Sequence, residues 1–308
     1  MSSKLARLEE DLAKVKHSLR ELGLDDATID AKWNEYLKNA SMRFKDEFVI
    51  KKRALANLKR LLYRVSKLHD VVGLCIGVSP KIDLIALMRK KAQLIWEQNP
   101  ERAISEGITD EEGNPLDYRP TIFGRENPNF GKPLPEDAHE YRRSYYFLNA
   151  NGEIIELQAR DEQTKLVCEV GKWYKFKASL RGKDESRGLI QMRTSVLTDF
   201  VEIVNPPDLD LAQALESHIE PLEDGLNEAD FFVSKVIVVR KGKNLLVVDD
   251  VEYYCTAPEV IGFYEDYLAP IVDQLNVGDV IYVLGRGRKF EFEGGIPTFS
   301  IWGVGKWQ

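Results

Sequence analysis

The sequence lacks any long apolar run, and no stretch approaches the roughly 18 apolar residues that a membrane-spanning helix needs. The N-terminal segment is charged and has the residue spacing of a helix, without the apolar core of a secretion signal. We therefore expect a cytoplasmic protein with no membrane partner.

Cysteine is scarce, which limits the available cross-links and metal sites. The residues Cys75, Cys168 and Cys255 are odd in number and far apart, so they exclude a complete disulfide framework. The chain has no CxxC pair, the usual basis of a structural zinc site. We expect three reduced core thiols, no metal and no cofactor.

The sequence also has little that indicates catalysis. Its four histidines are scattered without HExxH spacing, and the chain contains neither a GxxxxGK[ST] loop nor a GxSxG turn. Asp249, Asp250 and Glu252 are close in sequence, but carboxylates in a turn are usually solvated rather than metal-bound. We expect a protein that is not an enzyme.

The net charge of −7 is unevenly distributed. Residues 1–70 contain 16 basic and 11 acidic residues, whereas residues 205–230 contain eight acidic and no basic residues. The second segment is rich in Pro and Asp at its start, and we predict that it is an acidic linker. Since this segment alone exceeds the total negative charge, a local basic groove is compatible with the composition.

Residues 1–68 are predicted to be a helical region. Leucines three or four apart indicate an amphipathic helix over 3–22, and a second helix can start after Asp25. A third is expected from a cap at Ser41 to about Leu68. This segment carries nine basic residues and two acidic ones. The basic residues form either a solvated face or a phosphate-facing surface.

A pattern typical of one strand occurs twice, 107 residues apart. Residues 170–182 read VGKWYKFKASLRG and residues 277–289 read VGDVIYVLGRGRK. Each is a Val-Gly turn, an alternating strand and a basic, glycine-containing loop. Around each copy we predict five strands with a helix between the third and the fourth, the element order of an OB-fold barrel.

The predicted fold is thus mainly β with a helical N-terminus. The first OB-fold covers 69–204 and contains a long insertion at about 80–140, which we expect to be ordered. Asn151-Gly152 predicts a hairpin within it. The second OB-fold covers 231–308.

The element order and the paired VGKWYKFKASL and VGDVIYVLGRG strands resemble the replication protein A type of single-stranded DNA-binding protein, especially archaeal forms with tandem OB-folds. The resemblance covers 71–79, 141–204 and 231–308. It implies single-stranded DNA as the ligand, a nucleoid-associated role in replication, recombination or repair, and protein partners from those processes. The chain departs from the family in its large insertion and in having no zinc-binding cysteine cluster.

Binding one strand without sequence preference requires cations for the phosphates and flat side chains for the bases. In the first barrel, alternation places Trp173, Lys175 and Lys177 outward and Leu180 inward, and parity with Arg143 places Tyr145 and Phe147 outside. The alternative is an exposed sheet that only confers solubility. The predicted contacts are Arg142, Arg143, Tyr145, Phe147, Lys175, Lys177, Arg181 and Arg193.

In the second barrel, cations of strand one and of the loop after strand four are combined with aromatic residues. Phe299 and Trp302 can instead be core. The predicted contacts are Lys235, Arg240, Tyr253, Arg286, Arg288, Phe290, Phe299 and Trp302. The insertion interleaves aromatic and basic residues, and it either closes over the ligand or covers the barrel edge. Its predicted contacts are Arg119, Phe123, Arg125, Phe130 and Lys132.

Three functional hypotheses follow from these patterns. The first is single-stranded DNA binding, with the N-terminal helices or the acidic linker contacting replication or repair proteins. The second is RNA binding, which uses the same physics. The third is a scaffold in which helices and barrels pack against protein partners.

Overall fold

The computed structural model describes residues 3–122, 125–185, 188–222, 231–291 and 296–307. The chain has a helical N-terminus followed by two five-stranded barrels, which confirms the predicted fold class. Within the described residues, no helix is both long enough and apolar enough to cross a bilayer.

Three helices form the N-terminal region, namely Ser3–Glu21 (α1), Asp26–Ser41 (α2) and Glu47–Val65 (α3). Their apolar stripes share one core, to which Leu19, Ile29 and Leu58 contribute fully buried side chains. The predicted start of the third helix at Ser41 is wrong. Asp46 caps that helix by accepting a hydrogen bond from the backbone N–H of Val49, because an ionised side chain is favoured at a helix N-terminus.

The first barrel follows directly from α3. The strands of this part of the chain are Leu68–Val78 (β1), Ile82–Asp83 (β2), Thr121–Ile122 (β3), Arg125–Glu126 (β4), Tyr141–Leu148 (β5), Ile154–Arg160 (β6), Trp173–Asp184 (β7), Leu189–Arg193 (β8) and Val201–Glu202 (β9). Strands β1, β5, β6, β8 and β7 pair in that order, and β7 pairs with β1 to close the ring. A short 3-10 segment, Asp161–Lys165, lies where the barrel helix was predicted.

The insertion between β1 and β5 is ordered over its described part. It contains the helices Leu84–Gln98 (α4) and Pro100–Ser105 (α5) and the small β3–β4 hairpin. Asp83 caps α4 by accepting from the backbone N–H groups of Ile85 and Ala86.

The acidic segment is also folded where it is described. It forms the short helix Leu211–Leu215 (α6) and the 3-10 turn Glu216–His218. The side chains of Leu215 and Leu222 are buried, and the backbone N–H of Glu220 donates to the carbonyl of Val233. The described part of this segment therefore packs as ordered chain rather than as an extended tether.

The second barrel has the predicted strand order. Its strands are Phe231–Arg240 (β10), Asn244–Val248 (β11), Glu252–Thr256 (β12), Val280–Glu291 (β13) and Pro297–Lys306 (β14). They close in the order β10-β11-β12-β14-β13, with β12 and β14 parallel. The helix predicted between the third and fourth strands is short, a π-helical turn Tyr264–Leu268 followed by Ala269–Val272 (α7).

Contacts divide the chain into two units that differ from the predicted domains. One unit contains Met1–Cys75, Phe147–Leu157 and Gly171–Ala214, and the other contains Ile76–Tyr146, Gln158–Val170 and Leu215–Gln308. Strands β1 and β5 each contribute to both units. Residues 76–146 of the first barrel thus contact the second barrel within one unit.

Candidate nucleic-acid interface

The outer face of β7 carries the cations that the sequence predicts. Lys175 and Lys177 are exposed, whereas Tyr174, Phe176 and Ala178 between and around them are buried. This alternation follows from the period of two residues in a strand. The Asp70 carboxylate on β1 lies 4.0 Å from the Lys175 ammonium, so this face is partly neutralised.

The two ends of β7 depart from the predicted alternation. Trp173 was expected outside but is buried, with 8% of its surface exposed. Leu180 was expected inside but is 52% exposed, and it immediately precedes a shift in the register with β8 between Leu180 and Gly182. Arg181 lies within this register shift and is exposed, and Arg193 on β8 is half-buried.

The prediction that Tyr145 and Phe147 face outward is wrong. Phe147 lies inside the first barrel with its ring centroid 4.6 Å from that of Phe176. The Tyr145 hydroxyl donates to the carbonyl of Leu166 at 2.7 Å, and burial raises the pKa of this phenol well above its usual range. Both side chains therefore serve the core.

The opposite face of β5 is covered as well. The ring of Tyr146 stacks on Phe231, with centroids 5.0 Å apart and planes at 21°, and on Trp302 at 5.8 Å and 23°. Trp302 is half-buried by this stack. Strand two of an OB-fold is usually part of the ligand-binding face. In the first barrel its aromatic residues are engaged in packing instead.

Two glycines permit the close approach of β1 and β14 beside this stack. A Cβ atom on Gly303 would lie 2.0 Å from the carbonyl oxygen of Ile76 and 2.8 Å from the Cα atom of Gly77. Both are backbone atoms, so they cannot rotate away. Glycine is thus required at this contact.

Three predicted cations are held by intramolecular contacts. Arg119 forms ion pairs of 2.7 Å with both Asp117 and Glu140, and these carboxylates raise the pKa of its guanidinium further. Arg142 also pairs with Glu140, at 2.6 Å. Arg143 donates to the Tyr267 hydroxyl at 2.7 Å with its guanidinium carbon 5.1 Å from the ring centroid.

The outer face of the second barrel carries an uncovered cation–aromatic pair. Arg240 is exposed and its Nη2 donates to the Tyr254 hydroxyl at 3.2 Å, with the guanidinium carbon 5.7 Å from the ring centroid. Tyr253, the predicted contact, is buried with its ring against Phe299. The prediction for Tyr253 as a contact is wrong, and Phe299 is a core residue, which was the alternative to its role as a contact. Tyr254, the neighbour of Tyr253, is half-exposed. The polar residues Glu252 and Thr256, two positions away on either side, share a face of the strand with Tyr254 and indicate this exposure.

Further cations lie on the same barrel. Lys235 is exposed, and its Nζ lies 4.7 Å above the ring of Trp307, a residue that the sequence reasoning missed. Arg286 is exposed. Arg288 and Phe290 lie in β13, but their side chains are outside the described part.

In the insertion, Phe130 is 55% exposed and Lys132 is exposed nearby. Phe123 lies outside the described residues, and so does the side chain of Arg125 in β4.

The described residues contain no cluster of three or more His, Cys, Asp or Glu side chains that could hold a metal ion. The three cysteines are buried thiols that form no disulfide within the described residues, and burial raises the pKa of the Cys255 thiol to about 12.

The chain matches no protein-family profile and none of the curated proteins. Among solved structures it is similar to a murine DNA-binding protein bound to double-stranded DNA. The identity is 6% and the TM-score 0.25, with 75% of this chain and 93% of that chain covered. A likeness this low supports no conclusion about this chain.

Proposed function

We propose that this protein binds single-stranded nucleic acid, and single-stranded DNA in particular, through the outer faces of its OB-type barrels. The proposed role is like that of replication protein A, protecting and extending the strand in replication, recombination or repair. The closed five-stranded ring supports this proposal, since such barrels commonly bind oligonucleotides on the face of strands two and three.

The observation that carries the proposal is the pair of Arg240 and Tyr254 on the second barrel. This pair offers a charge for a phosphate and a flat ring for a base on β10 and β12, the two strands that flank β11. In the first barrel, the outer face of strand two, β5, is covered by the stack around Tyr146. The two barrels are therefore proposed to act differently.

In the first barrel the proposed contribution is electrostatic. Lys175 and Lys177 on β7 lie two residues apart on the exposed face, about 7 Å along the strand. They attract the sugar-phosphate backbone without reading bases, so they contribute to affinity and to its salt dependence.

The proposed role is binding rather than catalysis, exercised in the cytoplasm on nucleoid DNA. A titration of the intact protein with labelled oligo-dT, oligo-U and a duplex tests it. We expect a Kd near or below micromolar for oligo-dT, weaker binding to the duplex, and a steep loss of affinity with salt. Stronger binding to oligo-U than to oligo-dT would reassign the ligand to RNA.

Two variants and a control test whether Arg240 and Tyr254 form the binding site. Tyr254→Ala is expected to weaken oligo-dT binding about tenfold, since stacking on one aromatic residue contributes about 1–3 kcal/mol. Arg240→Gln is expected to lower the salt slope by about 0.7. Arg20→Gln removes a cation paired with Asp26 at 2.6 Å and should change neither quantity. Equal effects of all three variants would contradict the proposed site.

A protein-binding role is the second candidate, and one observation favours it. Leu87 and Leu94 on α4 are 49% and 48% exposed, seven residues apart on one helical face. Exposed apolar side chains in register are typical of a helix that contacts a partner. If Lys175→Gln/Lys177→Gln leaves oligonucleotide binding intact, while Leu87→Ser abolishes function in cells, the scaffold role is the better description.

A further inference from the structure

The outward face of α3 carries a second row of cations. Arg53, Arg60 and Arg64 follow one another at intervals of seven and four residues, which places them on one face of α3, and Lys67 follows in the turn after the helix. All four are exposed, and Tyr63 beside them is 66% exposed. We call these five residues the α3 stripe.

The stripe is not neutralised by the surrounding chain. Two other cations of this helix are paired, Lys51 with Glu47 at 2.7 Å and Lys59 with Asp11 at 2.8 Å. Within the part of the chain that the structure describes, no carboxylate lies within 4.0 Å of a stripe cation. The nearest aromatic contacts are Arg53 over the Phe44 ring at 5.6 Å and Lys67 over the Tyr63 ring at 5.7 Å.

Helix stability does not account for this arrangement. Like charges one turn apart, such as Arg60 and Arg64, repel each other and destabilise a helix. The helix dipole favours cations only in the last turn, which explains Arg64 but neither Arg53 nor Arg60. A stripe that destabilises the free helix is favourable once a polyanion lies along it.

The stripe and the cations of the first barrel lie inside the same contact unit. Lys67 immediately precedes Leu68, which pairs with Ser179 on β7, and Lys177 lies two residues further along that strand. From Arg53 to Arg64 the helix adds about 16 Å to this cationic surface. Asp70, which lies opposite Lys177 in the register of β1 and β7, is an acidic residue at this junction.

We infer that the α3 stripe is a second contact surface for the same single strand, with Arg53, Arg60, Arg64 and Lys67 contacting phosphates and Tyr63 stacking on a base. The inference rests on the proposed function, because a strand must first bind the barrels. A polynucleotide fits the stripe because its charges repeat along a line and its bases are flat. An acidic protein would need no exposed tyrosine at the centre of the row.

The test compares two triple variants of the intact protein on a 30-nucleotide oligo-dT. The stripe variant is Arg60→Gln/Arg64→Gln/Lys67→Gln. Its control, Lys14→Gln/Lys51→Gln/Lys59→Gln, loses the same charge from residues that are paired at 2.6, 2.7 and 2.8 Å. Glutamine is a good helix former, so helix content should be kept in both.

We expect the stripe variant to bind about tenfold more weakly and its salt slope to be lower by about 2, since each phosphate contact on a single strand contributes about 0.7. The control should match the unmodified protein. If both triples bind alike, the inference is refuted while the proposed function stands. If the unmodified protein binds no oligonucleotide, the proposed function and this inference both fail.

Photo-crosslinking provides a readout that needs no substitution. Oligo-dT carrying 5-iodouracil is irradiated with the unmodified protein, and the crosslinked peptides are sequenced. Adducts on Tyr63 support the inference. Adducts confined to the barrel strands would overturn it.

Discussion

Replacing Tyr146 by alanine tests whether the outer face of β5 is a packing surface or a ligand surface. The side chain is 4% exposed and stacks on two rings, Phe231 and Trp302. Removing a buried aromatic side chain costs about 3–5 kcal/mol. Each ring pair accounts for about 0.5–1.5 kcal/mol of that loss beyond area burial. We therefore expect Tyr146→Ala to lower the free energy of unfolding by about 3–5 kcal/mol.

The assay is urea unfolding followed by tryptophan fluorescence, since Trp302 lies in the stack. A double-mutant cycle of Tyr146→Ala with Phe231→Ala should give a coupling of about 0.5–1.5 kcal/mol. The exposed Tyr63→Ala should change stability by less than about 0.5 kcal/mol. The reasoning is refuted if Tyr146→Ala behaves like Tyr63→Ala, or if its main effect is weaker oligonucleotide binding at unchanged stability.

Three further outcomes are expected. Gly303→Ala should destabilise by about 1–3 kcal/mol or more in thermal unfolding, because its Cβ would meet backbone atoms; Gly182→Ala, with no atom within 4 Å, should not. Arg119→Gln should cost about 3 kcal/mol. Burial alone would raise the pKa of Asp117, but hydrogen bonds from Arg119 and Asn127 lower it. The stabilising effect of ionised Asp117 is therefore present above pH 3.8 and is lost as the pH falls through its lowered pKa, so in an acid titration the stability difference between Arg119→Gln and the unmodified protein should shrink. Lys175→Gln/Lys177→Gln should lower the salt slope of oligonucleotide binding by about 1.4, and an unchanged slope would contradict the proposed phosphate contacts.

The barrels could be predicted because their signals are local. Alternation over β7, the Val-Gly turns and the Asn151-Gly152 hairpin each depend on residues a few positions apart. The same holds for the outward direction of Lys175 and Lys177. The buried leucines of the acidic segment gave a weaker signal, because its eight carboxylates dominate the composition.

The site residues were harder to predict because their partners are distant in sequence. Tyr145 and Phe147 share the parity of Arg143, and alternation alone cannot indicate that β5 is covered on both faces. Tyr146 is covered by Phe231 and Trp302, more than 80 residues away. A strand with four consecutive large apolar residues is the available warning, since one uncovered face would normally be polar.

The packing of Tyr146 on Phe231 and Trp302 affects how the protein can be handled. The acidic segment offers an obvious place to cut the chain, yet a cut there would separate rings that belong to one contact unit. A fragment ending at residue 204 would present Tyr146 to water, and a fragment starting at residue 231 would present Phe231 and Trp302. Each fragment would then have an exposed aromatic surface and tend to aggregate. Oligonucleotide affinities measured on isolated barrels would therefore include binding to side chains that are packed in the intact chain.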